Sequence, residues 1–266
     1  MKGDHLVKIE MMEITSQREL APKIYEMTLK GQLVKKMQTP GQFLHIRVPR
    51  ADLLLRRPIS LNEINQEAGT CRIIYRVEGD GTLAFSKMQA GDVLDVMGPL
   101  GNGFSLSGLQ EGDEAYLVGG GIGIPPLYEL SRQLVAIGVK PIHFLGYASN
   151  EVKYYEDEFK ALGETHIATD DGSYGVHGHV GHLLDAMTSP LPAAVFSCGS
   201  KGLMQAVEDR FVDTVANVQL SLESRMACGM GACYACVCKV KDDPTGLKSL
   251  KVCDEGPVFP AGKVVL

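Results

Sequence analysis

No run of lysines and arginines stands out in this 266-residue chain, whose net charge is −6. A surface of that sign has little with which to neutralise phosphates, so nucleic-acid binding is disfavoured. Nowhere do 18 uncharged apolar residues follow one another, and no membrane-spanning helix is expected. The opening Met1-Lys-Gly-Asp-His-Leu-Val-Lys-Ile-Glu10 lacks the apolar core of a secretory leader, so a soluble, cytoplasmic protein is expected. Internal repeats and low-complexity tracts are also missing. Seven cysteines, an odd count without an export signal, argue against a disulfide framework.

What is present begins with sulfur. Near the C-terminus stands Cys228-Gly-Met-Gly-Ala-Cys233-Tyr-Ala-Cys236, answered by Cys253 in Lys251-Val-Cys-Asp-Glu. The spacing C-x4-C-x2-C with a distant fourth cysteine is the pattern of plant-type 2Fe-2S clusters. A free thiol is mostly protonated at neutral pH, whereas a metal-bound sulfur is a permanent anion; four crowded thiolates require a cation. Gly229, Gly231, Ala232 and Ala235 are small enough to let backbone amides turn inward toward cluster sulfides. A structural zinc site would more usually carry a C-x2-C pair at both ends, and Cys253 has no such partner. Cys238 falls in the alternating Val237-Cys-Lys-Val240 and reads as a bystander; Cys71 lies in a similar stretch and reads as core.

A hydrophobic content of 45% over this length fills more than one core, so two or three domains are expected. Residues 6 to about 104 read as short strands with turns between them: Leu6 to Glu13, Tyr25 to Leu29, Gln42 to Val48, Thr70 to Val77 and Asp92 to Met97. Only Thr82 to Met88 reads as helical. Several short strands with one helix predict a small antiparallel barrel. Within it lie Arg56-Arg-Pro-Ile-Ser60, Ile74-Tyr-Arg76 and Gly79-Asp-Gly-Thr82. Arginine's planar fork suits a diphosphate, and a glycine turn opening a helix leaves amide groups free for phosphate oxygens. Singly these are weak signs, since strand arginines are usually solvated and Gly-Thr before a helix is usually a cap. Their order is what points to a nucleotide cofactor.

After Gly98-Pro-Leu-Gly-Asn-Gly-Phe104 the pattern changes to strands alternating with helices. Ala115 to Val118 runs into Gly119-Gly-Gly-Ile-Gly123, and Ile124-Pro-Pro126 opens a helix to about Ile137. Further strands are predicted at Pro141 to Gly146, His166 to Thr169, Ala194 to Cys198 and Val218 to Leu222. Helices are expected near Tyr154 and from Leu203 to about Asp213. This alternation predicts a parallel sheet whose ligand sits beyond the carboxyl ends of its strands. Glu156-Asp-Glu158 reads as an exposed helix face, and His177-Gly-His-Val-Gly-His182 as turn and helix entry. The segment Gly146-Tyr-Ala-Ser-Asn150 holds no arginine for a 2′-phosphate, which favours NAD over NADP, although Lys153 lies close by.

These motifs together resemble the ferredoxin-NADP reductase superfamily. Arg57-Pro-Ile-Ser60 is similar to its R-x-Y-S/T flavin motif with Ile59 in place of tyrosine, a form expected in the electron-transfer subunits of type B dihydroorotate dehydrogenases. The stretches Ser221 to Cys236 and Val252 to Phe259 resemble those subunits most closely, and the likeness covers essentially the whole chain. It implies an FAD site at Arg57, Pro58, Ile59, Ser60, Ile74, Tyr75, Arg76, Gly81 and Thr82. Arg57 or Arg76 would hold the diphosphate, and Ser60 would lie near the flavin's reactive edge. It implies NAD at Gly120, Gly121, Gly123, Thr169 and Cys198, with Ser200 standing where proline is more usual. It implies 2Fe-2S ligation by Cys228, Cys233, Cys236 and Cys253.

The expected architecture is therefore multi-domain, α+β and α/β. It comprises an FAD-binding antiparallel β-barrel (residues 1–104), a parallel-sheet NAD-binding domain (105–217) and a small iron-sulfur domain (218–266). Nicotinamide exchanges two electrons as hydride and the cluster carries one, so a flavin belongs between them. The resemblance implies a catalytic partner that oxidises dihydroorotate on FMN in pyrimidine biosynthesis, in a heterotetramer of two subunits of each kind. Alternatives are an NAD-linked subunit serving a sulfide- or ferredoxin-linked oxidoreductase, and a zinc-stapled binding module.

Overall fold

The computed structural model describes residues 7–187 and 190–266. Leu6, expected to open the first strand, and most of the opening stretch tested for a leader fall outside them. The N-terminal part comprises β1 (Lys8–Ala21), β2 (Ile24–Lys30), β3 (Phe43–Ile46), β4 (Arg57–Asn65), β5 (Thr70–Arg76), α1 (Asp80–Phe85) and β6 (Val93–Leu100). Its six strands close an antiparallel barrel in the order β1-β2-β5-β4-β3-β6. Alternation drives the closure: Met12, Ile14, Met27, Leu29, Leu44, Ile46, Leu61 and Ile73 point inward and are buried together. Each such side chain contributes roughly 1.5–3 kcal/mol on burial.

Two strands differ from the sequence reading. β1 runs on to Ala21 through the polar Thr15 to Glu19, because it pairs with β6 along its first half and β2 along its second, with bulges after Ile14 and Glu19. β4 covers residues that read as a phosphate motif alone; Pro58 near its start lacks an N–H, yet His45 and Pro58 still stand opposite each other in register.

The second part follows with β7 (Glu114–Gly120), α2 (Pro125–Ala136), β8 (Lys140–Tyr147), α3 (Glu156–Lys160), β9 (Glu164–Thr169), β10 (Val176–His177), α4 (Val180–Asp185), β11 (Ala194–Cys198), α5 (Lys201–Phe211) and β12 (Val218–Ser221). Their strands are parallel neighbours in the order β10-β9-β8-β7-β11-β12. The order reverses between β7 and β11, so a crevice opens beyond their carboxyl ends, at Gly119–Gly123 and Cys198. His179 caps α4 through its side chain, which accepts from the Gly181 N–H. Glu156 is not on an exposed face: its carboxyl is paired with Lys153 and Lys160 and accepts from the Tyr174 hydroxyl at 2.7 Å.

The last part holds β13 (Val237–Lys239) and β14 (Ser249–Lys251), a two-stranded hairpin, and then β15 (Val258–Pro260). β15 returns to the large sheet and pairs antiparallel with β12. One continuous core joins the three parts, from Phe43 and Met97 through Val118 and Val195 to Met226, Cys236 and Cys253. No helix among the described residues is long and apolar enough to cross a membrane.

Candidate redox site: a cleft and a cysteine loop

The cysteine loop follows directly from β12. Gly229 and Gly231 adopt φ of +70° and +78°, left-handed values that side chains rarely take. These turns aim backbone donors at sulfur: Met230 N and Cys233 N lie 3.5 and 3.4 Å from Cys228 Sγ, Gly231 N 3.2 Å from Cys253 Sγ, and Cys253 N 3.5 Å from Cys236 Sγ. Burial works against a Cys228 thiolate, but the amides of Met230, Cys233 and Ala232 outweigh it and hold this thiol below its ordinary pKa.

The four thiols meet in two pairs, Cys228 with Cys233 and Cys236 with Cys253. Among the described residues no three His, Cys, Asp or Glu side chains converge on one point as a mononuclear cage requires. Two thiols for each of two irons is the arrangement of a 2Fe-2S cluster, and inward N–H···S donors are its usual support, so the donor set fits. Cys238 instead points its Sγ to the Leu250 carbonyl within the hairpin, and Cys71 is buried in the barrel with its pKa pushed up to about 12.

Beside the loop, a cleft of about 710 Å³ separates the barrel from the parallel sheet. That volume lies in the range of pockets that bury a cofactor-sized molecule. Arg57, Pro58, Ile59 and Ser60 of β4 line it with Ile74, Tyr75, Arg76 and Thr82. Gly81 is not a lining residue but the floor for an arginine: a Cβ there would lie 2.6 Å from Arg57 Nε. Arg57 itself reaches the Leu55 carbonyl at 2.6 Å. Arg76 is paired with Glu78. Tyr75 contributes only its backbone, because its ring is buried in the barrel and its hydroxyl donates to Gln17 Oε1 at 2.8 Å. Thr82 Oγ1 is occupied within its own turn, accepting from Glu78 N at 3.1 Å and donating to the Gly79 carbonyl. A lining of arginine side chains, the Ser60 hydroxyl and apolar residues such as Ile59 and Ile74 fits a flavin dinucleotide.

The opposite wall belongs to the sheet. Cys198 ends β11 between Gly119 and Ser221, buried, with burial pushing its thiol up to about 12. Gly123 packs onto it backbone to backbone, since a Cβ at Gly123 would meet the Cys198 carbonyl at 2.5 Å. Gly120 instead faces the Leu203 side chain, whose Cδ1 a Cβ would meet at 2.6 Å, and Gly121 is left-handed at φ +52° with open space beside it. Thr169 is placed differently from its expected role: fully buried, its hydroxyl donates to the Tyr174 carbonyl at 2.7 Å and folds the loop after β9. Ser200 caps α5 by accepting from Leu203 N.

Sequence reasoning missed a third wall, formed by Ser221, Leu222, Glu223, Ser224, Arg225 and Met226 with Pro257. Its signal was present, because charged residues directly after a parallel strand sit at a ligand-facing carboxyl end. Comparison with known proteins accounts for both the cleft and the loop. Residues 12–104 match the oxidoreductase FAD-binding domain, and residues 223–265 match the iron-sulfur cluster binding domain of dihydroorotate dehydrogenase B. The electron transfer subunit of dihydroorotate dehydrogenase B (NAD(+)) from Enterococcus faecalis is 61% identical over 261 residues, covering 97% of this chain and 99% of the relative.

The chain belongs to this electron transfer subunit family.

Its Bacillus caldolyticus member is 51% identical over 258 residues, covering 97% and 98%. Among solved structures, a chain of the NADH-dependent reduced ferredoxin-NADP oxidoreductase superposes with a TM-score of 0.84 at 26% identity, covering all of this chain and 91% of that one. Membership of the electron transfer subunit family gives FAD, a 2Fe-2S cluster and NAD as the cofactors of this chain.

Proposed function

We propose that this chain carries electrons between a dihydroorotate-oxidising partner subunit and NAD in pyrimidine biosynthesis. One observation carries the reading: a single segment, Ser221 to Met226, lines the cleft and leads within two residues to Cys228. A cofactor in the cleft and a metal on the cysteines would then share one piece of backbone. The bound groups supply the exchange between two-electron and one-electron chemistry, flavin doing both.

The residues have these roles. Arg57, held over Gly81, meets the cofactor diphosphate, with Arg76 beside it; Pro58, Ile59, Ser60, Ile74, Thr82 and the Tyr75 backbone cradle the rest of the FAD. Gly121, with open space beside it, lets NAD approach the chain, Gly120 and Gly123 shape that turn by packing on Leu203 and Cys198, and Cys198 closes the nicotinamide end. Thr169 acts by shaping the adjacent loop. Cys228, Cys233, Cys236 and Cys253 hold the cluster. The stretches 1–104, 105–217 and 218–266 serve as the FAD, NAD and cluster parts, with β12 and β15 tying the third to the second. NAD is preferred to NADP because Lys153 is held by Glu156 over the Tyr174 ring, 3.6 Å from its centroid, and its charge is already engaged.

The partner is an FMN-containing catalytic subunit, joined two and two in the cytoplasm. Mixing the chain with that subunit and dihydroorotate should reduce NAD; each component alone should not. A ferredoxin-linked role is a second reading, favoured by the likeness to the ferredoxin-NADP oxidoreductase chain. It predicts NADH-dependent reduction of ferredoxin and no orotate-forming activity in the mixture.

A further inference from the structure

His45, in the middle of β3, is fully buried, and neither of its ring nitrogens has a hydrogen-bond partner. Burying a polar group without a partner costs free energy, so such a residue calls for a ligand or a function. Its orientation follows from the pleat. Leu44 and Ile46 point into the barrel, so His45 points out, on the same face as Pro58 directly across in β4. Beyond the ring lies the cysteine loop: a Cβ on Gly229 would sit 2.4 Å from His45 Nδ1. The ring edge faces the backbone of Cys228 and of Arg56. Arg56 is fixed in turn, donating to the His45 carbonyl at 3.2 Å and to the Asp95 carbonyl at 3.0 Å. Both ring nitrogens are without a partner, so either can present an N–H to the loop.

We propose that His45 is the positioning residue of the cysteine loop, giving a ring N–H to the Cys228 carbonyl. This inference rests on the reading that the four cysteines hold a cluster. Pinning that carbonyl orients the following turn, whose Met230 and Cys233 amides are the donors to Cys228 Sγ. N–H···S bonds stabilise the reduced, more negative cluster, so a loosened turn lowers its potential. His45 thereby registers the loop against the strand pair that carries Arg57 to Ser60.

The test is a redox titration of the purified full-length chain, followed by electron paramagnetic resonance of the reduced cluster, with His45→Leu and His45→Asn beside it. His45→Leu should lower the cluster potential and broaden its signal; His45→Asn, which keeps a donor near Nδ1, should restore both, with flavin content unchanged throughout. An unshifted His45→Leu protein, or a His45→Asn protein shifted as far, would overturn the proposal. If His45→Leu assembles no cluster, the His45→Asn protein decides: native potential supports the proposal, and a lost or shifted cluster overturns it. An unsubstituted protein without any iron-sulfur signal would overturn the cysteine reading itself, and the proposal with it.

Discussion

The Tyr155 hydroxyl donates to Glu26 Oε2 at 2.5 Å, joining the sheet domain to the barrel across a buried seam. Asn62 Nδ2 and Arg72 Nη1 reach the same phenolic oxygen at 3.0 and 3.1 Å, and Tyr155 takes up a left-handed φ of +63° to be there. Strain of that kind costs about 1–3 kcal/mol and persists only where its surroundings hold it. Tyr155→Phe should therefore destabilise the protein by about 1–3 kcal/mol, chiefly by leaving Glu26, Asn62 and Arg72 short of a partner. Urea unfolding followed by circular dichroism measures it, and an unchanged midpoint would show that the seam does not depend on this hydroxyl.

Gly123 cannot become alanine without moving β11. Its Cβ would meet the Cys198 carbonyl carbon and oxygen and the Gly199 nitrogen, all at 2.5 Å and all backbone. Gly123→Ala should cost about 1–3 kcal/mol of stability. It should also raise KM for NADH more than it lowers kcat with an artificial acceptor, because the crevice is displaced. Equal KM values for the two proteins would count against the glycine turn as part of the NAD site.

Cys233→Ala removes one thiol of the Cys228/Cys233 pair while leaving the cleft wall at Ser221 to Met226 in place. The cluster absorbance should bleach, and NADH oxidation by artificial two-electron acceptors should stay within about twofold of the parent, under roughly 0.5 kcal/mol in transition-state free energy. Loss of flavin together with iron would make the loop a staple of the fold instead.

Glu156 answers to pH. Burial raises its pKa, but hydrogen bonds from Lys153, Lys160 and Tyr174 prevail and bring it from an ordinary 4.5 to about 2. A carboxyl depressed in the folded state contributes stability that is present above 4.5 and is lost as pH falls through 2. The pairs are partly screened by solvent, so Glu156→Gln should lower stability at pH 7 by about 1 kcal/mol, with the difference fading between pH 4.5 and 2. Freeing Lys153 should also raise the use of NADPH relative to NADH. A fixed difference across the pH range, or an unchanged cofactor ratio, would contradict the assigned contacts.

The parts that were legible in the sequence are those whose chemistry demands residue identity at short spacing. The Cys228, Cys233, Cys236 and Cys253 set, the Gly119–Gly123 turn and the alternating barrel strands are of this kind. What escaped depends on contacts between distant segments. β1 beyond Glu13 looks too polar for a strand until it is seen to bridge two partners, and β4 was hidden under its own arginines and proline. Tyr75 and Thr169 were chosen by position in a motif, but the pleat turns the first into the barrel, and the second spends its hydroxyl on a turn. His45 carried no sequence signal at all, because its neighbour Gly229 lies far along the chain and meets it only after the loop has docked.

Iron, acid-labile sulfide and flavin counted on the same anaerobically purified sample, alongside its visible spectrum, test the central claim most directly. We predict about two iron and two sulfide per chain with about one FAD, and a spectrum that bleaches when NADH is added. A pale protein with zinc in place of iron, no sulfide and no response to NADH would contradict it.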